Sequence, residues 1–266
     1  MRRLAAFRSL ILPSAILCVT LSSLAVALDG LTRETSPPPT NIVIGFVGGF
    51  VNHDNPHHGP VKLARRIQQA FPQDTYVRVF ENRHRKRAYN DIIRQLDTNH
   101  DGFLSPEEKA RARIILFGQS WGGAAAVLLA RELRRQGVRV LLTVQVDSVA
   151  KSWQNDAVIP DNVAEAVNFY QPHGIIHGRA RIIAADPSRT EILGNNLMDY
   201  RKDPVQCPEA SWFDHVFTHD HMQTECDPRL WSQIETMVHQ RLSPPNPSPE
   251  TPAAISAEVH PSAERH

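Results

Sequence analysis

The chain has 266 residues, a hydrophobic content of 41% and a formal net charge of +1. This length accommodates one well-buried domain with appendages. The near balance of 29 basic and 28 acidic side chains gives no support to a function in binding nucleic acid or an acidic surface, so we expect no nucleic-acid partner.

The N-terminal segment, residues 1–27, is typical of a secretory signal peptide. Three arginines within the first eight residues precede an apolar stretch that ends in small residues at Ala27. This organisation predicts cleavage near Ala27 and export to the periplasm or the extracellular space, with no stable membrane span afterwards. An uncleaved membrane anchor is the alternative, because the apolar run is nearly long enough to span a bilayer. Residues 28–40 are predicted to be a linker.

From residue 41 onward, strands and helices alternate. Apolar, β-leaning runs predict strands at 41–47, 75–80, 113–117, 138–146 and 180–185. Helical spacing of apolar residues predicts helices at 61–71, 85–96, 121–136, 161–168 and 229–241. The alternation predicts an α/β domain over residues 41–242, with a doubly wound, mostly parallel sheet of five to six strands. In such sheets the chemistry gathers at the carboxyl ends of the strands.

Two polar stretches flank the early strands. His53, His57 and His58 follow the first strand, and their spacing favours a polar rim of a site over a zinc centre. A short basic run over residues 83–87 is adequately explained by a solvated helix face.

The proline-rich tail over residues 243–266 has no apolar periodicity and is predicted to be disordered.

The segment Gly118-Gln119-Ser120-Trp121-Gly122 matches the pattern G-x-S-x-G. It joins a predicted buried strand to an alanine- and leucine-rich helix, and this context indicates a nucleophile elbow. The flanking glycines remove Cβ atoms that would collide with the adjoining elements. Ser120 would then stand at the positive end of the helix, where an oxyanion is stabilised. A glycine-rich structural turn is the alternative interpretation.

A serine nucleophile requires a histidine base and a carboxylate that orients it. Asp147 directly follows the strand after the elbow helix, although it could instead serve as a turn or cap residue. Asp186, after the last predicted strand, is a second candidate for the acid. The candidates for the base are His215, His219 and His221, of which we favour His221.

Cys207 and Cys226 are the two cysteines that remain once the signal peptide is removed. An even pair in an exported chain predicts one disulfide, which closes a loop of about 20 residues. All three candidate histidines lie inside this loop, and a disulfide would hold it in one geometry, as a general base requires. Two free thiols are the alternative.

Residues 97–108 fit the EF-hand loop pattern D-x-[DN]-x-[DN]-G-x₅-E without a mismatch. The predicted Ca²⁺ ligands are Asp97, Asn99, Asp101, Phe103 through its backbone carbonyl, Ser105 and Glu108. Because the following helix leads into the nucleophile strand, we expect the ion to be a structural staple at the amino end of that strand. A solvated acidic helix-turn-helix is the alternative, and no organic cofactor is expected.

The order Ser120, Asp147, His221 on a parallel α/β chain resembles the α/β-hydrolase superfamily, in its lipase- and esterase-like branch. The resemblance covers about residues 41–242, and the polar segment at 221–227 is similar to the stretch around the histidine of lipase-like hydrolases. The chain departs from the familiar H-G-G-G motif, because Val47 precedes Gly48.

The resemblance implies that an oxyanion hole is formed by the amide of Trp121 and an amide of Gly49 or Phe50. The bulk of Trp121 beside the nucleophile is expected to narrow the pocket. The leading hypothesis is an exported serine hydrolase that cleaves a small-molecule or lipid-like acyl ester and is stabilised by structural calcium. The alternative is a non-catalytic calcium-binding or scaffold protein on a hydrolase fold.

Overall fold

The computed structural model describes residues 40–208 and 219–243. The predicted signal peptide, nearly all of the linker, His215 and nearly all of the proline-rich tail therefore lie outside the described residues. Within the described ranges, no helix is both long enough and apolar enough to cross a bilayer.

The described elements follow one another as alternating strands and helices. They are β1 Thr40–Val47, α1 Gly59–Ala70, β2 Thr75–Glu81, a 3₁₀ turn Asn82–His84, α2 Arg85–Leu96, α3 Pro106–Ala110, β3 Ala112–Gln119, α4 Trp121–Arg135, β4 Val140–Val146, β5 Val158–Ile159, β6 Val163–Tyr170, β7 Ile183–Ala184, β8 Glu191–Leu197, α5 His219–Cys226 and α6 Pro228–Leu242.

Six of the strands form one parallel sheet in the order β2-β1-β3-β4-β6-β8. Parallel neighbours need crossover connections, so helices cover both faces and the central strands are apolar on both sides. β1 shows this directly: Ile42, Ile44 and Phe46 belong to the core on one face, with residues of α2 and α4. Val43 and Val47 belong to the core on the other face, with residues of α1 and α6. The predicted α/β class with a mostly parallel sheet is confirmed.

Two predicted elements are wrong. Residues 161–168, predicted as a helix, contain most of β6, which lies between β4 and β8 with Ala166, Val167 and Phe169 buried. Residues 180–185, predicted as the last strand, contribute only Ile183–Ala184 to a separate two-stranded sheet with β5. The sixth strand of the main sheet is instead β8, which the apolar pattern did not indicate.

The last helix, α6, fixes the end of the helix before it. Asp227 caps α6 by accepting hydrogen bonds from the amides of Arg229 and Leu230. One turn into the helix, the indole nitrogen of buried Trp231 donates to the carbonyl oxygens of Thr224 and Glu225 at 3.0 Å each. The C-terminal end of α5 is therefore tied to the core through α6.

Candidate active site

Ser120 lies in a sharp turn between β3 and α4. Its backbone has φ 54° and ψ −125°, and its amide donates to the carbonyl of Val146 at 2.9 Å. A Cβ atom on Gly118 would lie 2.3 Å from the carbonyl group of Gly122, and one on Gly122 would lie 2.3 Å from the carbonyl oxygen of Phe46. Both flanking glycines are therefore required by close backbone contacts, as the elbow interpretation expects.

Asp147 follows β4 directly and is fully buried. Its Oδ2 lies 2.6 Å from Nδ1 of His221, which is on the first turn of α5. A carboxylate only accepts hydrogen bonds, so this contact places the imidazole proton on Nδ1 and leaves Nε2 as an acceptor. The structure thus brings together the acid and the favoured histidine, 74 residues apart.

The other candidates lie elsewhere. His219 is exposed and contacts the side chains of Asp220 and Gln223 at 3.2 Å each. Asp186 accepts hydrogen bonds from the amide and the hydroxyl of Ser188, and these contacts lower the pKa of its carboxyl group. None of these contacts involves Asp147 or His221.

The Asp147 carboxylate has further donors that sequence reasoning missed. Its Oδ1 accepts from the amides of Gln171 at 3.1 Å and Gly178 at 2.6 Å, and its Oδ2 accepts from Nε2 of Gln171 at 2.9 Å. A buried charge needs such donors to offset its lost hydration. Gln171 directly follows β6, at the carboxyl edge of the sheet, but most of this strand was predicted as a helix, so no sequence signal pointed to Gln171. Gly178 must lack a side chain, because a Cβ there would lie 2.3 Å from Oδ1.

The Nε2 side of His221 is occupied by Gln119 and not by the serine. Nε2 of the buried Gln119 amide lies 3.2 Å from Nε2 of His221 and 3.5 Å from Oγ1 of Thr224. Within the described ranges, no hydrogen bond joins the hydroxyl of Ser120 to His221. Gln119 was also missed, because it occupies a variable position of the G-x-S-x-G pattern.

The expected oxyanion donors flank the elbow. The amide of Trp121 is at the first position of α4, where a helix supplies no acceptor. A Cβ on Gly48 would lie 2.8 Å from Cβ of Ser120, so the loop after β1 packs against the elbow. Next to it, Gly49 has φ 44° and its carbonyl accepts from Asn82 at 2.6 Å. The ring of Phe50 lies edge-on to that of Trp121, at 5.5 Å.

Helix α5, which carries His221, is held from two sides. A disulfide joins Cys226, at its end, to Cys207, as predicted. The amide of Val205 donates to the side chain of Gln223 at 2.6 Å, and the amide of Gly59 donates to Glu225 at 2.9 Å. The position of the histidine is therefore set by contacts with several parts of the chain.

Two histidines of the predicted rim, His53 and His58, lie close to carboxylates. His53 and His84 both contact Glu81, at 2.9 Å and 2.5 Å, and His58 lies 3.4 Å from Glu225. Burial of Glu81 opposes its ionised form, but the hydrogen bonds from His53, its own backbone and His84 prevail and lower its pKa to about 2.

The predicted calcium loop contains one unpartnered carboxylate oxygen. Oδ2 of Asp97 accepts from the amide of Gly102 at 3.1 Å, whereas Oδ1 is buried without a hydrogen-bond partner. Asn99 and Asp101 accept from amides two residues further on, at 3.1 Å and 2.8 Å. The side chain of Phe103 is exposed, as expected of a residue that would contribute only its carbonyl.

At the end of this loop, Glu108 forms a capping box with Ser105 at the start of α3. Its carboxylate also accepts from the amide and hydroxyl of Thr98, at 2.7 Å and 2.9 Å. The Ser105 amide and these Thr98 contacts lower the pKa of Glu108 to about 2. In this arrangement, no three carboxylate, imidazole or thiolate side chains of the described residues converge as a metal site.

No family model matches this chain, and no curated protein sequence matches it. Among solved structures, it is similar to a cutinase-like protein from Cryptococcus sp., with 13% identity over 77% of this chain and 96% of that one, and a TM-score of 0.41. It is also similar to an esterase of Pyrobaculum calidifontis, with 11% identity over 75% of this chain and 77% of that one, and a TM-score of 0.35.

Proposed function

We propose that this protein is a serine hydrolase that cleaves an acyl ester through a covalent acyl-enzyme. The observation that carries the proposal is the buried Asp147–His221 hydrogen bond at the sheet edge where Ser120 forms its elbow. The three residue types that acyl transfer requires are thus at one edge of one sheet, and two of them are already in contact.

In the proposed mechanism, Oγ of Ser120 attacks the acyl carbon while Nε2 of His221 takes the hydroxyl proton. Asp147 stabilises the imidazolium through Nδ1, and the amide of Trp121, with an amide of Gly49 or Phe50, stabilises the oxyanion. The imidazolium then returns the proton to the leaving alcohol, which departs and leaves acyl-Ser120. Water, deprotonated by His221, attacks the acyl carbon. The tetrahedral intermediate then collapses as the imidazolium returns the proton to Oγ of Ser120, which releases the acid and restores the serine and the neutral histidine.

Gln119 has a defined part in this cycle. Its amide now occupies the lone pair of His221 that must receive the serine proton. For the first step, Nε2 must exchange this amide for the hydroxyl of Ser120. The resting site is therefore one hydrogen-bond exchange away from the arrangement in which the serine is activated.

The test is covalent labelling. A fluorophosphonate probe should label Ser120, and Ser120→Ala should lose the label and about 10³-fold or more of the activity on 4-nitrophenyl butyrate. Ser148→Ala is the matched control: Ser148 is buried at the same sheet edge, but its hydroxyl donates to Asp156 at 2.6 Å. That variant should still be labelled. An unlabelled wild type, or full activity in folded Ser120→Ala, refutes the proposal.

We also propose that residues 97–108 bind one Ca²⁺ ion as a structural staple. The fit is supported by the oxygen donors at the predicted positions and by the buried, unpartnered Oδ1 of Asp97. A bound cation would neutralise this oxygen and tie α2 to α3, the helix that leads into β3. No step of the acyl transfer involves the ion, because the loop lies at the amino end of β3 and Ser120 at its carboxyl end.

Export completes the proposal. The disulfide between Cys207 and Cys226 supports it, because such bonds persist in oxidising compartments such as the periplasm or the extracellular space. The expected substrate is a small-molecule or lipid-like acyl ester, and the proposal includes no organic cofactor.

One observation favours a second candidate function. Because Gln119 and not Ser120 contacts Nε2 of His221, the same fold could serve as a non-catalytic calcium-binding scaffold. That function predicts no labelling of Ser120 and no turnover of any acyl ester, together with calcium-dependent stability. The labelling experiment therefore separates the two functions.

A further inference from the structure

A cleft of about 270 Å³ lies beside the elbow, and its side chains take no part in the proposed acyl transfer. Its walls include two tryptophan side chains, Trp121 and Trp153, and three cationic side chains, Arg83, Arg85 and Lys151. None of the described residues that line it is acidic. The basic run at 83–87, which the sequence explained as a solvated helix face, thus contributes two cations to one cleft.

The cleft shares a wall with the proposed reaction site. Trp121 is the residue after Ser120, and its ring contacts that of Phe50 edge-on. Asn82, which also lines the cleft, holds the carbonyl of Gly49 at 2.6 Å. Part of a substrate whose ester carbonyl faced Ser120 would therefore reach the cleft along the indole of Trp121.

Among the described residues, two of the three cations have no carboxylate partner. Arg85 is paired with Glu132 at 2.9 Å. Within residues 40–208 and 219–243, Arg83 and Lys151 form no ion pair. The ammonium group of Lys151 instead lies 5.1 Å from the ring of Trp121 and 5.9 Å from that of Trp153. These cation–π contacts hold a positive charge at the cleft without neutralising it.

We propose that this cleft binds an anionic group of the substrate, so that the enzyme prefers esters that carry a carboxylate in their acyl or alcohol part. Arg83 offers a planar fork of N–H donors and Lys151 a compact charge, and both suit a carboxylate. The aliphatic or aromatic part between the carboxylate and the scissile carbonyl packs on Trp121. This inference rests on the proposed function, whose substrate class it specifies.

The first experiment compares anionic with neutral esters of similar size. The pairs are the 4-nitrophenyl hemiester of glutaric acid against 4-nitrophenyl valerate, and 4-carboxyphenyl butyrate against phenyl butyrate. The kcat/KM of each ester is divided by its rate constant for hydrolysis by hydroxide, which corrects for intrinsic reactivity. For at least one pair, we expect this corrected wild-type value to be about tenfold higher for the anionic ester at low salt. The double variant Arg83→Gln/Lys151→Gln should reduce this ratio by about tenfold.

The matched control is Arg135→Gln/Arg139→Gln, which also removes two positive charges, from exposed side chains at the end of α4 and just before β4. It should leave the ratio unchanged. A wild type without an anionic preference for either pair overturns the inference. So does a double variant that keeps the ratio, or one that loses both rates in equal proportion.

A second experiment separates this inference from the hydrolase proposal. In Ser120→Ala, glutarate should change tryptophan fluorescence saturably, because its carboxylates draw Lys151 away from the two indole rings, whereas neutral glutaramide should not. Lys151→Gln should abolish the change. If the change occurs but no ester is ever cleaved, the cleft inference stands and the proposed function fails. If esters are cleaved without a fluorescence change or an anionic preference, the reverse holds.

Discussion

Asp147 and Asp97 are both buried carboxylates that directly follow a helix or strand, yet their surroundings differ. Asp147, after β4, accepts hydrogen bonds on both oxygens from Gln171, Gly178 and His221. Asp97, after α2, accepts one from Gly102 on Oδ2, and its Oδ1 is buried without a partner. A buried carboxylate oxygen without a donor is costly, so within the described residues Asp147 is the better satisfied of the two carboxylates.

The two regions are at opposite ends of one strand. β3 begins just after α3 and ends at Gln119, one residue before the elbow. The comparison teaches that, within the described residues, the chain itself supplies partners for both oxygens of Asp147, whereas Oδ1 of Asp97 would gain one from the proposed Ca²⁺ ion. Reactivity and stability should therefore respond to different changes.

The largest effect is expected at Asp147. Asp147→Asn should lower kcat/KM on 4-nitrophenyl butyrate by about 10⁴-fold, because an amide cannot stabilise the imidazolium and allows the wrong tautomer of His221. Steady-state kinetics of the purified variant measures this. Asp186→Asn, at the rejected candidate acid, is the control and should stay within twofold of wild type. A large loss in the control and none in Asp147→Asn would transfer the acid role to Asp186.

The thermal stability of the protein should depend on calcium bound to the Asp97–Glu108 loop. Chelation with EGTA should lower the Tm by about 5–10 °C, which corresponds to an ion present at about 100 times its Kd for a domain of this size. Asp97→Asn should remove the response to calcium, and in chelator it should melt no lower than wild type, because it deletes an uncompensated charge. Thermal unfolding with and without Ca²⁺ measures both.

A matched control exists at the same sheet edge. Asp74 is exposed just before β2 and uses only its backbone carbonyl, which accepts from Asn41. Asp74→Asn should keep the full calcium response. A wild-type Tm that is indifferent to chelator would show that the Asp97–Glu108 loop holds no structural ion.

The smallest effect is expected at the contact between Gln119 and His221, which must break during the proposed turnover. Gln119→Met keeps the side-chain volume but removes the amide that competes for Nε2 of His221. We expect kcat/KM to rise by about three- to tenfold, the equivalent of one net hydrogen bond. The control is Gln145→Met, which replaces another buried glutamine, whose amide donates to the carbonyl of Asp156 at 3.1 Å, and it should stay within twofold of wild type. A fall in kcat in Gln119→Met would instead assign Gln119 to positioning the base.

The strands that are continuous apolar runs were predictable, and those without such a run were not. β1, β3 and β4 are continuous apolar runs, and their pattern identified them. Most of β6 was predicted as a helix from the spacing of its apolar residues, but its place between two strands decides its conformation. β8 contains Gly194 and two asparagines and lies at the edge of the sheet, so it carries little strand pattern.

Of the candidate site, the sequence indicated the residues whose chemistry is distinctive. Ser120, Asp147 and His221 follow from a motif, a strand end and a loop rich in histidine. Gln119 and Gln171 could not be found in this way, because a glutamine has no motif and its role depends on which side chain the fold places beside it. The cationic cleft beside Trp121 was missed for the same reason, since Arg83 and Lys151 are 68 positions apart in the printed sequence.

The backbone at the elbow also carries a thermodynamic consequence. Within the described ranges, the non-glycine residues with positive φ are His100, Ser120 and Asp147, and two of these three form the proposed site. Each such conformation costs about 1–3 kcal/mol, against a total folding stability of about 5–15 kcal/mol. The fold therefore devotes an appreciable share of its stability to holding two reactive groups in place, and Ser120→Gly should yield a chain that is inactive yet harder to unfold.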